Sequence, residues 1–385
     1  MSVLGNYIDV RVGTSFVGIP VLRFMLKAGR MSLDHYFRNL VEGKRKGLDA
    51  SILLFLLKVL SVPYAIIMRL RALAYEKGFF RSRALPKPVV SVGNITVGGT
   101  GKTPVVSLIA RYYIDRGKRV AVLSRGYRGQ SRGKITIVSD GRNVLMTPAE
   151  AGDEPCMLAE KIPGLIVAVG TDRYQAGLHL LGHLNPDIFI LDDGFQHQRL
   201  HRDLNILLLD NNRPFGNGNV FPAGLLREPK DAAGRADLIV YTRCAGNKPV
   251  GNAEGIPFCV SSHVLAGFVT LPGGDMEPLS SLSHLRGVAF AGIAEPSAFF
   301  SMLEEEGLII AKKISFPDHC KYGEDEVSEI VSTREAVEAD YVITTEKDSV
   351  KLSPYLSRLG GIHAAVLDIR IPDMAILTDK LEKLL

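Results

Sequence analysis

The run Val89-Val-Ser-Val-Gly-Asn-Ile-Thr-Val-Gly-Gly-Thr-Gly-Lys-Thr-Pro104 limits what this 385-residue chain can become. Val89 to Val92 are apolar and mostly β-branched, which predicts a buried strand. Gly93, Gly98, Gly99 and Gly101 follow, then Lys102-Thr103-Pro104 and the helix-like segment Val105–Ala110. Strand, glycine-rich loop and helix together form a phosphate cradle. Glycines let several backbone N–H groups converge on one anion, and the helix N-terminus adds partial positive charge. In that layout Thr96, Val97, Gly98, Gly99, Thr100, Gly101, Lys102 and Thr103 bind nucleotide. Lys102 reaches the β- and γ-phosphates, and the Thr103 hydroxyl faces Mg²⁺. Pro104 suits a first helical turn, where its missing N–H costs nothing.

The match to the P-loop pattern is partial. Thr96 stands where the first glycine belongs. The remainder, Gly98-Gly-Thr-Gly-Lys-Thr103, is nearer a Gly-Gly-x-Gly-Lys-Thr variant. Val97 occupies the place where switch-type ATPases often carry a second lysine.

Alternation continues from there. Strands are expected at 119–123, 135–138, 165–169, 188–191 and 205–209, with helices near 154–161 and from Tyr174 onward. This predicts an α/β fold, a mostly parallel sheet with helices on both faces. Ligands on such sheets bind at the carboxyl ends of the strands, and the polar clusters fall there. Residues 86–245 are expected to form this P-loop domain. Residues 246–285, broken by Pro249, Gly251, Gly255 and Pro272-Gly-Gly, read as a linker. Residues 286–385 read as a smaller C-terminal α/β domain.

The N-terminal part reads differently. Residues 1–50 form an extension, with an apolar run from Phe16 to Leu26 that Arg23 interrupts and no clear signal-peptide cleavage site. Residues 51–80 hold the most apolar stretch of the chain. It approaches the ~20 residues that span a bilayer, but Lys58 and Pro63 lie inside it and Arg69 and Arg71 follow. A lysine near mid-helix is costly in lipid, so an interfacial, membrane-associated helix is the expectation; a spanning helix and a core helix are the alternatives.

The net charge of +5 is mild and the basic residues are dispersed, which argues against nucleic acid. Four cysteines without CxxC spacing argue against a disulfide framework or zinc site.

Several residues could carry chemistry. Ile188-Phe-Ile-Leu-Asp192 is an apolar strand ending in a carboxylate that could hold Mg²⁺ beside a P-loop, and Asp193 doubles its charge. Asp153, in Ala151-Gly-Asp-Glu-Pro155, reads by itself as a helix N-cap; a general base is the functional reading. Arg125, Tyr127, Arg128, Arg173, Arg199, Arg202 and Arg227 lie in or near strand-end loops, where arginine suits phosphate. His319, in Phe316-Pro-Asp-His-Cys-Lys-Tyr322, reads by itself as an incidental loop histidine.

Taken in order, the motifs resemble one family. They are Val92–Pro104, Ser124-Arg-Gly-Tyr127, Ala151–Pro155, Asp192-Asp-Gly-Phe-Gln-His197, Phe215-Gly-Asn-Gly218, Pro222-Ala-Gly-Leu-Leu-Arg-Glu228, the Asp318-His319 loop and Thr345-Glu-Lys-Asp348. Together they resemble the tetraacyldisaccharide 4′-kinases, the lipid A 4′-kinases, from about Leu53 to near the C-terminus. The resemblance implies ATP- and Mg²⁺-dependent phosphorylation of the 4′-hydroxyl of a tetraacyldisaccharide 1-phosphate. That reaction belongs to the cytoplasmic face of the Gram-negative inner membrane. The implied partners are a lipid and a membrane surface, with no nucleic acid and no obligate protein. The resemblance makes Asp153 the base, with His319 its partner, and Lys102 catalytic. It implies Thr103, Asp192 and Glu228 at the metal, and Arg125, Tyr127, Arg173, Asp193, Gln196 and Arg227 around phosphates and substrate. The family often has a second histidine where this chain has Cys320. A switch-type P-loop ATPase acting on a protein, and a membrane-bound nucleotide sensor, are the competing readings.

Overall fold

The strand expected from Val89 lies deep inside an eight-stranded sheet. A computed structural model describes residues 33–126, 135–244, 246, 249 and 255–385; Tyr127, Arg128 and most of the N-terminal extension lie outside them. The strands are β1 (Val89–Asn94), β2 (Val120–Ser124), β3 (Thr136–Asp140), β4 (Ile166–Val169), β5 (Ile188–Asp192), β6 (Leu204–Asp210), β7 (Leu238–Thr242) and β8 (Phe258–Val260). Their order is β3-β4-β2-β5-β1-β6-β7-β8. All neighbours run parallel except β3, which is antiparallel to β4.

Side-chain alternation splits each strand between two cores. Val90, Val92, Val120, Val122, Ile188 and Ile190 face the helices Lys102–Ile114 and Asp153–Lys161. Val89, Ala121, Leu123, Phe189 and Leu191 face the helix Arg173–His183. Both faces are therefore covered, as parallel strands require. Each large apolar side chain buried this way contributes about 1.5–3 kcal/mol relative to exposure, which makes the sheet a rigid base for the loops at its edge.

A second sheet comprises β9 (Ser262–Leu271), β10 (Met276–Glu277), β11 (Arg286–Ala291), β12 (Ile309–Ser315), β13 (Tyr341–Thr345) and β14 (Ile362–Arg370), ordered β10-β9-β14-β13-β11-β12. The helices Pro296–Glu305 and Glu324–Ala336 cover its two faces. The stretch read as a linker is structured. It supplies β8 to the first sheet and β9 to the second, where β9 pairs antiparallel with β14 from Ser262↔Arg370 to Leu271↔Ile362. β9 is half-buried along much of its length, so its sequence lacks the clean apolar alternation that would reveal it. The last helix, Ala375–Glu382, also departs from the expected division. Leu377 and Leu381 join the core of the first sheet, and Tyr113 Oη donates to the Leu381 carbonyl at 3.0 Å. The chain therefore passes between the two units twice, after β8 and after β14.

The apolar N-terminal segment is one 29-residue helix, Leu48–Glu76, with Pro63 inside it. At about 1.5 Å per residue it is about 43 Å long. Phe55, Leu56, Val59 and Leu60 are more than half exposed, and only Ala50, Ser61 and Met68 are buried. Its C-terminal half is docked. Tyr64 and Ala65 pack on the core beneath β6 and β7, and Tyr64 Oη donates to the Arg227 carbonyl at 2.8 Å.

Candidate active site

The P-loop leaves the end of β1 and enters the helix Lys102–Ile114. Gly101 is the helix N-cap with φ 74°, and Gly98 has φ 132°, conformations that favour glycine. The loop is held from several sides. Asn94 Nδ2 donates to Thr100 Oγ1 at 2.9 Å. From the end of β7, Thr242 Oγ1 donates to the Thr100 carbonyl and Arg243 Nη2 to the Gly99 carbonyl, each at 2.9 Å. Val97 N donates to the Leu225 carbonyl, and Thr96 forms a β-bridge with Leu226. Thr96, in place of glycine, thus serves as a pairing position between the loop and the Pro222–Glu228 segment.

Asp192 ends β5, next to both β1 and β2. Ser124 Oγ, at the end of β2, donates to Asp192 Oδ2 at 3.1 Å. Asp192 is buried, and its Oδ1 has no hydrogen-bond partner among the described residues. Burial, then the charges of Glu154 and Asp193, push its carboxyl up to about 7. Asp193 behaves oppositely. Burial opposes its charge, but Lys102 and Arg227 outweigh burial and bring it down to about 2. Arg227 Nη1 donates to both Asp193 oxygens at 2.9 and 2.7 Å, and Lys102 Nζ stands 3.6 Å from Oδ1. One carboxylate is therefore committed to cations of the protein, and the other offers an unsatisfied oxygen.

Asp153 is the first residue of the helix Asp153–Lys161, and the cap position belongs to Gly152, whose φ is 99°. The capping reading of Asp153 does not hold, because its side chain turns toward the second unit. Its Oδ2 lies 3.2 Å from His319 Nδ1 and 3.9 Å from Lys351 Nζ. Burial works against the charge, but the hydrogen bond from His319 and the Lys351 and Lys347 ammoniums outweigh it, so the carboxyl sits below its ordinary value. His319 is held in the left-handed region, φ 59°, with its N–H donating to the Gly292 carbonyl at 3.0 Å. A non-glycine residue in that conformation points to a constrained site. Cys320 is buried against the core of the second unit.

Gln196 and Arg227 meet, Nη1 to Oε1 at 3.4 Å, and Gln196 Nε2 donates to the Asn94 carbonyl at 2.8 Å. Arg71, from the long helix, donates to the Gln196 carbonyl at 3.1 Å. Arg173 is buried at the start of its helix and donates to the Thr171 carbonyl at 3.0 Å. Arg125 lies exposed just beyond β2. Glu228, also expected at the metal, faces guanidinium groups. It is buried, accepts from Arg235 and faces Arg71 at 3.9 Å; ligating Mg²⁺ would require it to leave those guanidinium partners.

Three positions that sequence reasoning gave no role stand out here. Arg243 grips the P-loop and forms ion pairs at 3.0 Å with both Asp210 and Glu295. Lys347 and Lys351 flank the Asp153–His319 pair. The Thr345-Glu-Lys-Asp348 motif was the available signal for Lys347; nothing local marks Arg243 or Lys351. For Mg²⁺, the orphaned Oδ1 of Asp192, with Thr103 in the first turn of the P-loop helix, is a hard oxygen donor set that fits the ion.

Known proteins share the sequence and fold of this chain. Residues 53–385 match the family model for tetraacyldisaccharide-1-P 4′-kinase, LpxK. The tetraacyldisaccharide 4′-kinase of Geobacter metallireducens is 58% identical over 334 residues, covering 87% of this chain and 99% of the relative. That of Geobacter sulfurreducens is 54% identical over 356 residues, covering 92% and 100%. The crystal structure of "apo" form LpxK from Aquifex aeolicus in complex with ATP superposes with a TM-score of 0.73 at 35% identity. It covers 88% of this chain and 99% of that one. The chain belongs to the tetraacyldisaccharide-1-P 4′-kinase family.

Proposed function

We propose that this protein transfers the γ-phosphoryl group of ATP to the 4′-hydroxyl of a tetraacyldisaccharide 1-phosphate. The carrying observation is the Asp153–His319 pair, joined across two units at 3.2 Å beside the P-loop strand ends. The names of the relatives supply the substrate class. Asp153, held ionised, accepts the hydroxyl proton as the sugar oxygen forms its bond to the γ-phosphorus and the bond to the β-phosphate oxygen breaks. The P-loop amides and Lys102 hold the transferring phosphates. Arg227, Arg173 and Arg125 are disposed to meet phosphate charge, with Asp193 orienting Lys102 and Arg227. Thr103 and Asp192 would hold Mg²⁺, which supplies neutralisation of phosphate charge when bound.

The exposed face of Leu48–Glu76 is mostly apolar, with Phe55, Leu56, Val59 and Leu60 on it. It suits a membrane surface, where the acyl chains of the substrate stay in lipid while the docked half of the helix, through Tyr64 and Arg71, lies beside the site. A position on the cytoplasmic face follows from the need for ATP.

The test is [γ-³²P]ATP transfer to tetraacyldisaccharide 1-phosphate in detergent micelles, wild type beside Asp153→Ala. Labelled lipid that disappears in the variant supports both the kinase and the base. Label that persists moves the base elsewhere. ATP hydrolysis without labelled lipid overturns the kinase reading in favour of a switch ATPase.

A further inference from the structure

We propose that Lys347 is a positioning residue that sets which nitrogen of His319 carries the hydrogen, and so keeps Asp153 supplied with a donor. This rests on the kinase reading above. Lys347 belongs to the short helix Glu346–Ser349, which opens where β13 ends. The helix is pinned by buried Asp348, whose Oδ2 accepts from Gly292 N at 2.9 Å and from Thr345 Oγ1 at 2.8 Å, and whose Oδ1 accepts from Lys351 at 2.8 Å. Gly292 is also the residue whose carbonyl receives the His319 N–H. One anchor therefore fixes both the lysine and the histidine it faces.

Lys347 Nζ stands 3.3 Å from His319 Nε2. An ammonium has only hydrogens to offer, so Nε2 must be the acceptor. A neutral imidazole that accepts at Nε2 carries its hydrogen on Nδ1, and Nδ1 points at Asp153 Oδ2. The competing pull comes from Asp318, whose carboxylate would favour a hydrogen on Nε2. It stands 3.9 Å away, beyond hydrogen-bond reach, and is itself 3.8 Å from Lys347. Glu154, 3.8 Å from Lys347, adds a second carboxylate that keeps the ammonium in place. Lys351 approaches Asp153 Oδ2 at 3.9 Å, whereas the member of the pair that Lys347 touches is His319.

The experiment uses the full chain in micelles with Lys347→Met, which keeps length and loses the donor, and Lys347→Arg, which keeps a donor. Steady-state transfer is combined with ¹⁵N NMR of histidine-labelled protein, with the His319 signal identified by its loss in His319→Ala. The wild type should show the Nδ1–H form. Lys347→Met should shift His319 toward Nε2–H and lower kcat by about tenfold or more, a loss within what misplaced acid–base groups cost, with KM for ATP unchanged. Lys347→Arg should restore both. A kcat within about twofold of wild type in Lys347→Met, or a lost kcat with His319 still in the Nδ1–H form, overturns the proposal. If Lys347→Met does not fold, Lys347→Arg with an Nε2–H histidine overturns it, and wild-type NMR showing Nε2–H does so without any variant. Absence of labelled lipid with the wild type is the separate failure, that of the kinase reading.

Discussion

His319 Nδ1 stands 3.2 Å from Asp153 Oδ2, although 166 residues separate them in the chain. Asp153 starts a helix of the first unit, and His319 sits in a strained turn of the second. The pair exists only while the two units are together, so the proposed base is complete only in that arrangement. Any motion that parts them leaves ATP beside an unpartnered carboxylate, which would limit its waste in hydrolysis.

Replacing Asp153 by Asn should separate chemistry from binding. The asparagine keeps the volume and cannot accept a proton, so kcat should fall by about 100- to 10,000-fold, the usual weight of a general base. The P-loop contacts do not involve Asp153, so the affinity for ATP should change little. Single-turnover transfer and equilibrium nucleotide binding check the two halves. Equal losses in both would make Asp153 a structural residue.

The pH dependence of turnover has a defined sign. The Asp153 carboxyl lies below its ordinary value of 3.8 in the fold, chiefly because the His319 hydrogen bond and Lys351 outweigh burial. Its stabilising contribution is therefore present above the unfolded value and lost as pH falls through the lower folded one. The active, ionised form persists across about pH 5–8, the window where folded proteins are generally most stable. His319→Ala removes the largest favourable contribution, so an acid limb in kcat should move up toward that window. An identical acid limb in wild type and His319→Ala would contradict the assignment.

Much of this was readable in the chain. Val89–Val92 and Ile188–Leu191 are short β-branched or aliphatic runs with polar residues at their ends, and they became neighbouring strands whose ends meet at the P-loop. The motif order pointed to Asp153 and His319, where either residue alone looked incidental. What stayed hidden has physical causes. β9 alternates poorly because one of its faces is only half-buried. β7, a fully buried run from Leu238 to Thr242, is short and lies between more polar stretches that mask it in the sequence. Glu228 is engaged by Arg235, a partner seven residues away that only the fold of the Pro222–Arg235 segment reveals. Lys347 and Arg243 act through contacts 28 and 144 residues distant, which no local pattern encodes.

Arg243 should matter for nucleotide affinity. Its side chain touches both the P-loop Gly99 carbonyl and, through Glu295, the second unit. Arg243→Ala removes a charge-assisted hydrogen bond, worth about 1.5–3 kcal/mol. It should raise KM for ATP about tenfold or more, since each 1.4 kcal/mol is tenfold. Glu295→Ala should do less, because Asp210 still holds the guanidinium. A nucleotide titration of both single variants and the double decides. Strict additivity would mean that Glu295 does not act through Arg243.

Gly93→Ala tests the backbone contact beneath the loop. A Cβ at Gly93 would lie 2.7 Å from Phe195 N and 2.8 Å from Phe195 Cβ. Neither atom can swing aside, since Phe195 is fully buried and follows the Asp193 turn. Overpacking of this kind costs about 1–3 kcal/mol, so Tm should fall by several degrees, at about 2–4 °C per kcal/mol for domains of 150–250 residues. An unchanged Tm would mean that β1 and the Asp192–Phe195 turn are further apart than described.

The exposed face of Leu48–Glu76 should govern membrane binding and not catalysis. Phe55, Leu56 and Leu60 are 65, 53 and 53% exposed, all on the half of the helix before Tyr64 and Arg71. Changing the three to Glu leaves the docked half in place and removes apolar area worth about 25 cal/mol per Å² in lipid. The added charges oppose insertion further. In flotation with phospholipid vesicles the triple variant should remain with the soluble fraction. Its transfer to substrate dispersed in micelles should stay within a few-fold of wild type, because Tyr64 still reaches Arg227 and Arg71 still reaches Gln196. Loss of micellar activity with unchanged flotation would reverse the assignment, making this face part of the catalytic architecture and placing membrane attachment elsewhere in the chain.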